Sequence, residues 1–185
     1  MNDTESKLVG AATQLFAQYG VKRTSMAEVA EGAGVSRQTL YSLFSSKDKL
    51  LAVTMQSIID GIIADLERDW QQCDSVEQVL DVYFKHSVYK PFELLQKTPD
   101  IADLIRGIGE ETRKVARKAD TDKTKLLAKQ LEPFSSRLKT RKSDPASVAN
   151  LVVTTSRELK LSVNSRRELD KLLQTLKTAV QALVE

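Results

Sequence analysis

The sequence predicts an all-α protein. Three observations carry that expectation: apolar residues recur at three- and four-residue spacing along nearly the whole chain, the apolar–polar alternation of strands is scarce, and Ser, Thr or Asp stands where most helices would open. With 185 residues, 29% of them charged and 41% hydrophobic, the chain has the composition of a globular protein of one or two small domains. About nine or ten helices are expected, with no internal repeat.

The first helix carries Leu8, Ala12, Leu15, Phe16 and Tyr19 on one stripe and ends at Gly20, a natural C-cap. Ser25 and Glu28 form a capping box that opens a short second helix, running to about Gly32. Gly34 turns the chain, because a glycine adopts positive φ without steric cost. Ser36 caps a third helix whose Leu40 and Phe44 face inward with Val35, leaving Arg37, Gln38, Thr39, Tyr41 and Ser42 on the outer arc. A long fourth helix begins near Lys47, with Leu51, Met55, Ile58, Ile59, Ile62, Leu66 and Trp70 as its stripe.

Ser75 opens the next helix, through Val79, Tyr83 and Ser87, and Pro91 is expected to end it or start a short one with Phe92 and Leu95. A helix opened by Thr98-Pro99-Asp100 is expected to carry Ile101, Leu104, Ile105, Ile108, Thr112 and Val115, with Gly107-Ile108-Gly109 an oddity inside it. A further stretch holds Leu127, Leu131, Phe134 and Leu138, kinked or restarted by Pro133. Asp144-Pro145 and Ser165-x-x-Glu168 open the last two helices, both broadly apolar.

Several functions are thinned out by arithmetic. His86 is the only histidine and Cys73 the only cysteine, so a zinc site built from Cys and His is not expected. No Gly-x-Ser-x-Gly elbow and no glycine-rich phosphate loop occurs, so neither a catalytic residue, a metal nor a cofactor is expected. No apolar stretch is long enough for a membrane span, and the polar start is unlike a secretory signal, so a cytoplasmic location is expected.

The second and third helices with their glycine turn have the helix-turn-helix pattern. In order along the chain stand Ala27-Glu28-Val29-Ala30, Ala33-Gly34-Val35-Ser36, Thr39-Leu40-Tyr41, Phe44 and Ser46-Lys47-Asp48-Lys49-Leu50. This stretch resembles the DNA-binding domain of the TetR family of bacterial repressors. The resemblance is strong over roughly the first 50 residues; beyond them it rests on length, helix count and the final helix pair.

It implies an N-terminal three-helix DNA-binding domain over residues 1–46 and a larger helical ligand-binding and dimerisation domain over 47–185. The residues expected at double-stranded DNA are Thr24, Ser25, Ser36, Arg37, Gln38, Thr39, Tyr41, Ser42 and Lys47. In similar proteins the threonine and tyrosine of Thr39-Leu40-Tyr41 and the lysine at Lys47 hold the DNA backbone. The chain departs from the family pattern at Leu43, where a histidine or aromatic is usual. It departs again at Gln38, often glycine or proline, and Gln38 is expected to read a base instead. The family pattern further implies a homodimer through the last two helices, at Val148, Leu151, Val152, Thr155, Leu159, Leu169, Leu172, Leu173, Leu176 and Val180, on a near-palindromic operator. It also implies a small-molecule inducer, for which Trp70, Tyr83, His86, Tyr89, Phe92 and Arg106 are the candidate lining.

Charge is unevenly placed. Residues 51–112 hold 5 basic and 12 acidic groups, a balance of −7, whereas residues 113–142 hold 11 and 3, a balance of +8. The basic stretch is expected to be a solvated helix face; a helical interaction module using it on an acidic partner is the alternative from a different class. Within DNA binding the alternative is a ligand-independent or activating regulator.

Overall fold

A computed structural model describes residues 1–97 and 109–184. Ten α-helices occur among these residues, and no strand. In order they are α1 (Asp3–Tyr19), α2 (Met26–Gly32), α3 (Arg37–Leu43), α4 (Lys47–Trp70), α5 (Val76–Phe84), α6 (Lys90–Lys97), α7 (Glu110–Leu131), α8 (Ser135–Thr140), α9 (Pro145–Ser162) and α10 (Arg166–Val184). A π-helical turn, Lys85–Tyr89, joins α5 to α6, and a 3₁₀ turn, Glu132–Phe134, joins α7 to α8.

The caps explain the boundaries. Asn2 accepts from the Glu5 amide at 2.8 Å while the Glu5 carboxylate takes the Asn2 amide, a capping box at a site whose sequence reads as a glycosylation match. Ser25 and Glu28 reciprocate in the same way at α2. Ser36, Ser46, Ser75, Asp144 and Ser165 accept the N3 amides of α3, α4, α5, α9 and α10. Gly20 takes φ 84° and closes α1, and Gly34 takes φ 67° between α2 and α3.

The chain divides into two compact units, Met1–Gly61 with Glu93–Lys118, and Ile62–Phe92 with Ala119–Glu185. The boundary expected at 46/47 therefore moves to Gly61/Ile62, inside α4. The reason is packing: Leu50 and Phe44 are buried in the same small core as Leu8, Ala12, Phe16, Val29 and Leu40, so the start of α4 closes the first unit rather than opening the second. Tyr19, read as part of the first stripe, is half exposed, and Val9 and Ala11 are buried instead.

The second unit's core runs from Leu66 and Trp70 through Tyr83, Phe84, Val88 and Phe92 to Leu127, Leu131, Val152, Leu169, Leu173 and Val180. The short helix expected at Pro91, carrying Phe92 and Leu95, is α6, with Pro91 in its first turn, and it runs on directly from the π turn. Proline cannot donate to the Ser87 carbonyl four residues back, and the chain meets this with a wider turn in which the Lys90 amide reaches the Lys85 carbonyl. The helix expected across Thr98 to Val115 lies partly outside the described residues. Where description resumes, Gly109 is not helical and α7 starts at Glu110, then runs unbroken past Val115 to Leu131.

That start is capped from a distance. Asp48, in the first turn of α4, accepts from the Thr112 hydroxyl at 2.6 Å and the Glu111 amide at 3.0 Å, both within the first unit. Burial opposes ionisation of Asp48, but these donors, with the Thr112 and Gly109 amides, hold its carboxyl below the usual carboxylate range. A Cβ on Gly109 would collide with the Asp48 carboxylate, which accounts for the glycine.

Candidate nucleic-acid interface

The first unit presents α3 on a rigid base. Leu40 and Phe44 anchor the helix in the core, with Val35, Ala33 and Leu43 packed around it. One turn of α-helix then fixes what points outward: Arg37, Gln38, Tyr41 and Ser42 are exposed, Tyr41 by 55%. These side chains can donate and accept hydrogen bonds, and Arg37 adds a planar cation. That is the chemistry needed against base edges and phosphates in a major groove.

Not every residue expected at this face is available to it. Thr24 is buried, and its hydroxyl donates to the Gly20 carbonyl at 2.9 Å, so it stabilises the α1–α2 connection instead of facing outward. Ser36 and Thr39 share a hydrogen bond at 2.8 Å, and the Ser36 hydroxyl also accepts the Thr39 amide; both side chains build the α3 cap while remaining at the surface. Ser42 donates to the Thr39 carbonyl at 2.8 Å. Ser25 is exposed but engaged in its capping box.

Lys47 lies beside this face, its Nζ donating to the Lys22 carbonyl at 3.2 Å. Burial draws its ammonium below the ordinary lysine range, and the Glu28 carboxylate opposes that shift. Glu28 is itself held low by the Ser25 backbone and hydroxyl donors, with Lys47 contributing less. The α2 capping box therefore keeps a negative charge close to Lys47, and a phosphate would compete with it for the lysine.

The comparisons follow this geometry. Residues 8–54 match the description "Bacterial regulatory proteins, tetR family", a span that includes α2, the Gly34 turn and α3. Over this segment the chain is similar to the tetR family. An uncharacterised helix-turn-helix-type transcriptional regulator of Mycobacterium bovis is 31% identical over 81 residues, 43% of this chain and 43% of its own. The transcriptional repressor KstR2 of Mycobacterium tuberculosis is 28% identical over 64 residues, 35% of this chain and 32% of its own. The matches thus span less than half the length of these relatives. Among solved structures, a transcriptional regulator from Rhodococcus sp. Rha1 shares the fold at a TM-score of 0.71, with 18% identity, over 97% of this chain and 95% of that one.

In the second unit, the residues expected to line a ligand site are mostly committed to the fold. Trp70 is buried and its Nε1 donates to the Val79 carbonyl at 3.0 Å. Phe92 is core. His86 is buried on the π turn, with Nε2 at 2.7 Å from Asp69 and Nδ1 at 3.0 Å from Lys90 Nζ, so it ties the end of α4 to that turn. The His86 and Lys85 hydrogen bonds hold the Asp69 carboxyl far below the usual range. Tyr89 is half-buried under the Arg166 guanidinium, 3.9 Å from its ring centre. Tyr83 is buried among polar partners described below, and Arg106 lies outside the described residues.

The expected dimer face also needs correction. Val148, Val152, Leu169, Leu173 and Val180 are fully buried within their own chain, because α9 and α10 use these positions to build the second unit's core. Leu159, Leu176 and Thr155 are intermediate, and Leu151 and Leu172 are exposed by 50% and 37%. A broad apolar helix has two apolar faces to place, and sequence alone did not separate them. No helix among the described residues is long and apolar enough to cross a membrane, and none of their acidic, His and Cys side chains gather in threes as a metal site. In the basic stretch, Lys114 pairs with Glu111 at 3.0 Å and Arg117 with Glu110 at 2.9 Å, which reduces the bare charge it offers a partner.

Proposed function

We propose that this protein is a sequence-specific DNA-binding transcriptional regulator, acting as a repressor on a near-palindromic operator and released by a small molecule. The observation that carries the reading is the polar, exposed face of α3, held over a buried Leu40–Phe44 anchor inside a segment that matches the tetR family. The relatives include a named repressor, KstR2, and a named activator, FasR of Mycolicibacterium smegmatis, and the reading takes the sign of the first. Gln38 is exposed on this face and can pair with adenine through its amide. Gln38→Ala is expected to cost about 1–3 kcal/mol at one base position and to relax preference there, read by in vitro selection against native protein. Unchanged sequence preference would remove the direct-readout role.

A palindromic operator requires two copies, with recognition helices about 34–36 Å apart. The exposed Leu151 on α9 and Leu172 on α10 support a homodimer through these helices, since isolated leucines gain by leaving water together. Sedimentation velocity is expected to show a dimer at micromolar concentration, converted to monomer by Leu151→Asp with Leu172→Asp. A native chain that sediments as a monomer would contradict this assembly.

A further inference from the structure

In the second unit two lysines, one on α7 and one on α9, are buried or half-buried with no ion pair among the described residues. On α7, Lys123 is 7% exposed and occupies a position of the buried stripe Ala119, Leu127, Leu131. Among the described residues it makes no hydrogen bond or ion pair; Asp120, one turn away, is the only carboxylate that acts on it. Asp120 is already taken, accepting from Arg157 Nη1 of α9 at 2.8 Å. One turn further along α9 stands Lys160, half-buried, its Nζ 3.5 Å from the Ser87 carbonyl. That carbonyl is the one Pro91 cannot serve. Arg157 also pairs with Glu158 at 2.9 Å, so of the three cations it is Lys123 and Lys160 that have no ion pair of their own among the described residues.

Hydroxyls complete the cluster. Ser87, on the π turn, is buried, and its Oγ makes no hydrogen bond of good distance and angle, the Tyr83 phenol being its nearest polar influence. Tyr83 is buried beside it: burial holds its phenol above the ordinary range, and Ser156, Asp120, Ser87 and Arg157 all act on it. A buried hydroxyl without a well-formed hydrogen bond is costly, and native folds rarely keep one without a use, while the neighbouring Lys123 ammonium has no carboxylate of its own. Val88, next to Ser87, Leu127, one turn on from Lys123, and Val152 and Val153, one turn before Ser156, belong to the apolar core of the second unit. Such walls favour a singly charged head on an apolar body over a doubly charged phosphate, whose desolvation costs more.

We propose that Lys123, Lys160, Ser87 and Tyr83 form a receptor for the carboxylate of a small apolar acid, with Arg157 and Asp120 as its outer charge pair. The two ammoniums would take the carboxylate oxygens and the Ser87 hydroxyl would donate to one of them, satisfying the groups the fold leaves open. That this acid is the molecule that releases DNA rests on the regulatory reading above.

The test is calorimetric titration of the full chain at pH 7 with straight-chain carboxylates from butanoate to dodecanoate, the matching primary alcohols, and inorganic phosphate. At least one carboxylate is expected to bind the native chain about 10-fold or more tightly than it binds a Lys123→Met, Lys160→Met double variant, while the alcohols do not distinguish the two. Methionine keeps the chain length and removes buried charge, so the variant is expected to melt no lower than native. If it does not melt cooperatively, Lys123→Met alone is held to the same criterion. Carboxylate binding is also expected to weaken between pH 7 and pH 9, because Lys160, depressed to about 8 by burial and by Lys123, with Asp120 opposing and Arg157 adding, loses its proton across that interval. Equal carboxylate binding by native and variant, or tighter binding of phosphate than of every carboxylate, would overturn the proposal. Operator release is measured separately by anisotropy: an acid that binds at the lysine pair and leaves the DNA complex intact would keep the receptor and sink the regulatory role.

Discussion

Arg37→Ala combined with Tyr41→Ala is expected to weaken operator binding by roughly 30-fold or more while leaving the fold intact. Each side chain is exposed on α3, and a good side-chain contact to a base or phosphate carries about 1–3 kcal/mol, so losing two costs on the order of 2–6 kcal/mol. Removing exposed side chains from a helix changes stability by about 0.5 kcal/mol or less each. Fluorescence anisotropy on a selected duplex reads the first effect, and a thermal melt the second. Full binding by the double variant would show that another surface holds the DNA. If binding were then lost on neutralising Arg113, Lys114, Arg117 and Lys118, the basic stretch would be that surface.

The second large effect is expected from Leu40→Ala, which touches the same helix from the other side. Leu40 is fully buried and joins α3 to Leu8, Ala12, Phe16, Val29 and Phe44. Truncating a buried leucine costs about 2–5 kcal/mol through lost transfer energy and the cavity left behind. Against a total stability of roughly 5–15 kcal/mol, that is a large fraction for a small unit. Urea denaturation is expected to show a lower midpoint, with operator binding lost as the first unit melts. A midpoint within error of native would mean that α3 is not held by this core. The two substitutions are complementary: one removes the reading face and keeps the helix, the other keeps the face and loosens its support.

Much of this was legible in the sequence, for identifiable reasons. Caps are local, so Ser25, Ser36, Ser75, Asp144 and Ser165 located helix starts from a few neighbouring residues. The helix-turn-helix was legible because its anchor residues, its glycine and its polar arc all lie within about two turns of one another. Asn2 and Glu5 carry the same local signature, an N-cap side chain with an acidic residue three positions on, and form a capping box at α1.

What was not legible depends on partners distant in sequence. Thr24 reads as a surface threonine until the carbonyls of Gly20 and Leu15 are placed beneath it. Asp48 reads as a first-turn carboxylate, and its engagement with Thr112, 64 residues later, has no local signature. The apolar positions of α9 and α10 cannot be divided between core and surface without knowing which side α5 and the π turn occupy. Lys123 and Lys160 did leave a trace: each falls at four-residue spacing from a buried position, Ala119 and Leu127 for one and Ser156 for the other. A charge on an apolar stripe is the pattern that would have found them.

The central claim is that the exposed face of α3 reads DNA on behalf of a two-copy regulator. The most direct test is fluorescence anisotropy of the full chain against duplexes enriched by selection and against random duplexes, across a salt series. The account predicts a near-palindromic sequence bound about 10³-fold or more above random DNA, two chains per duplex. Binding that is weak, lost with moderate salt and equal for all sequences would contradict it.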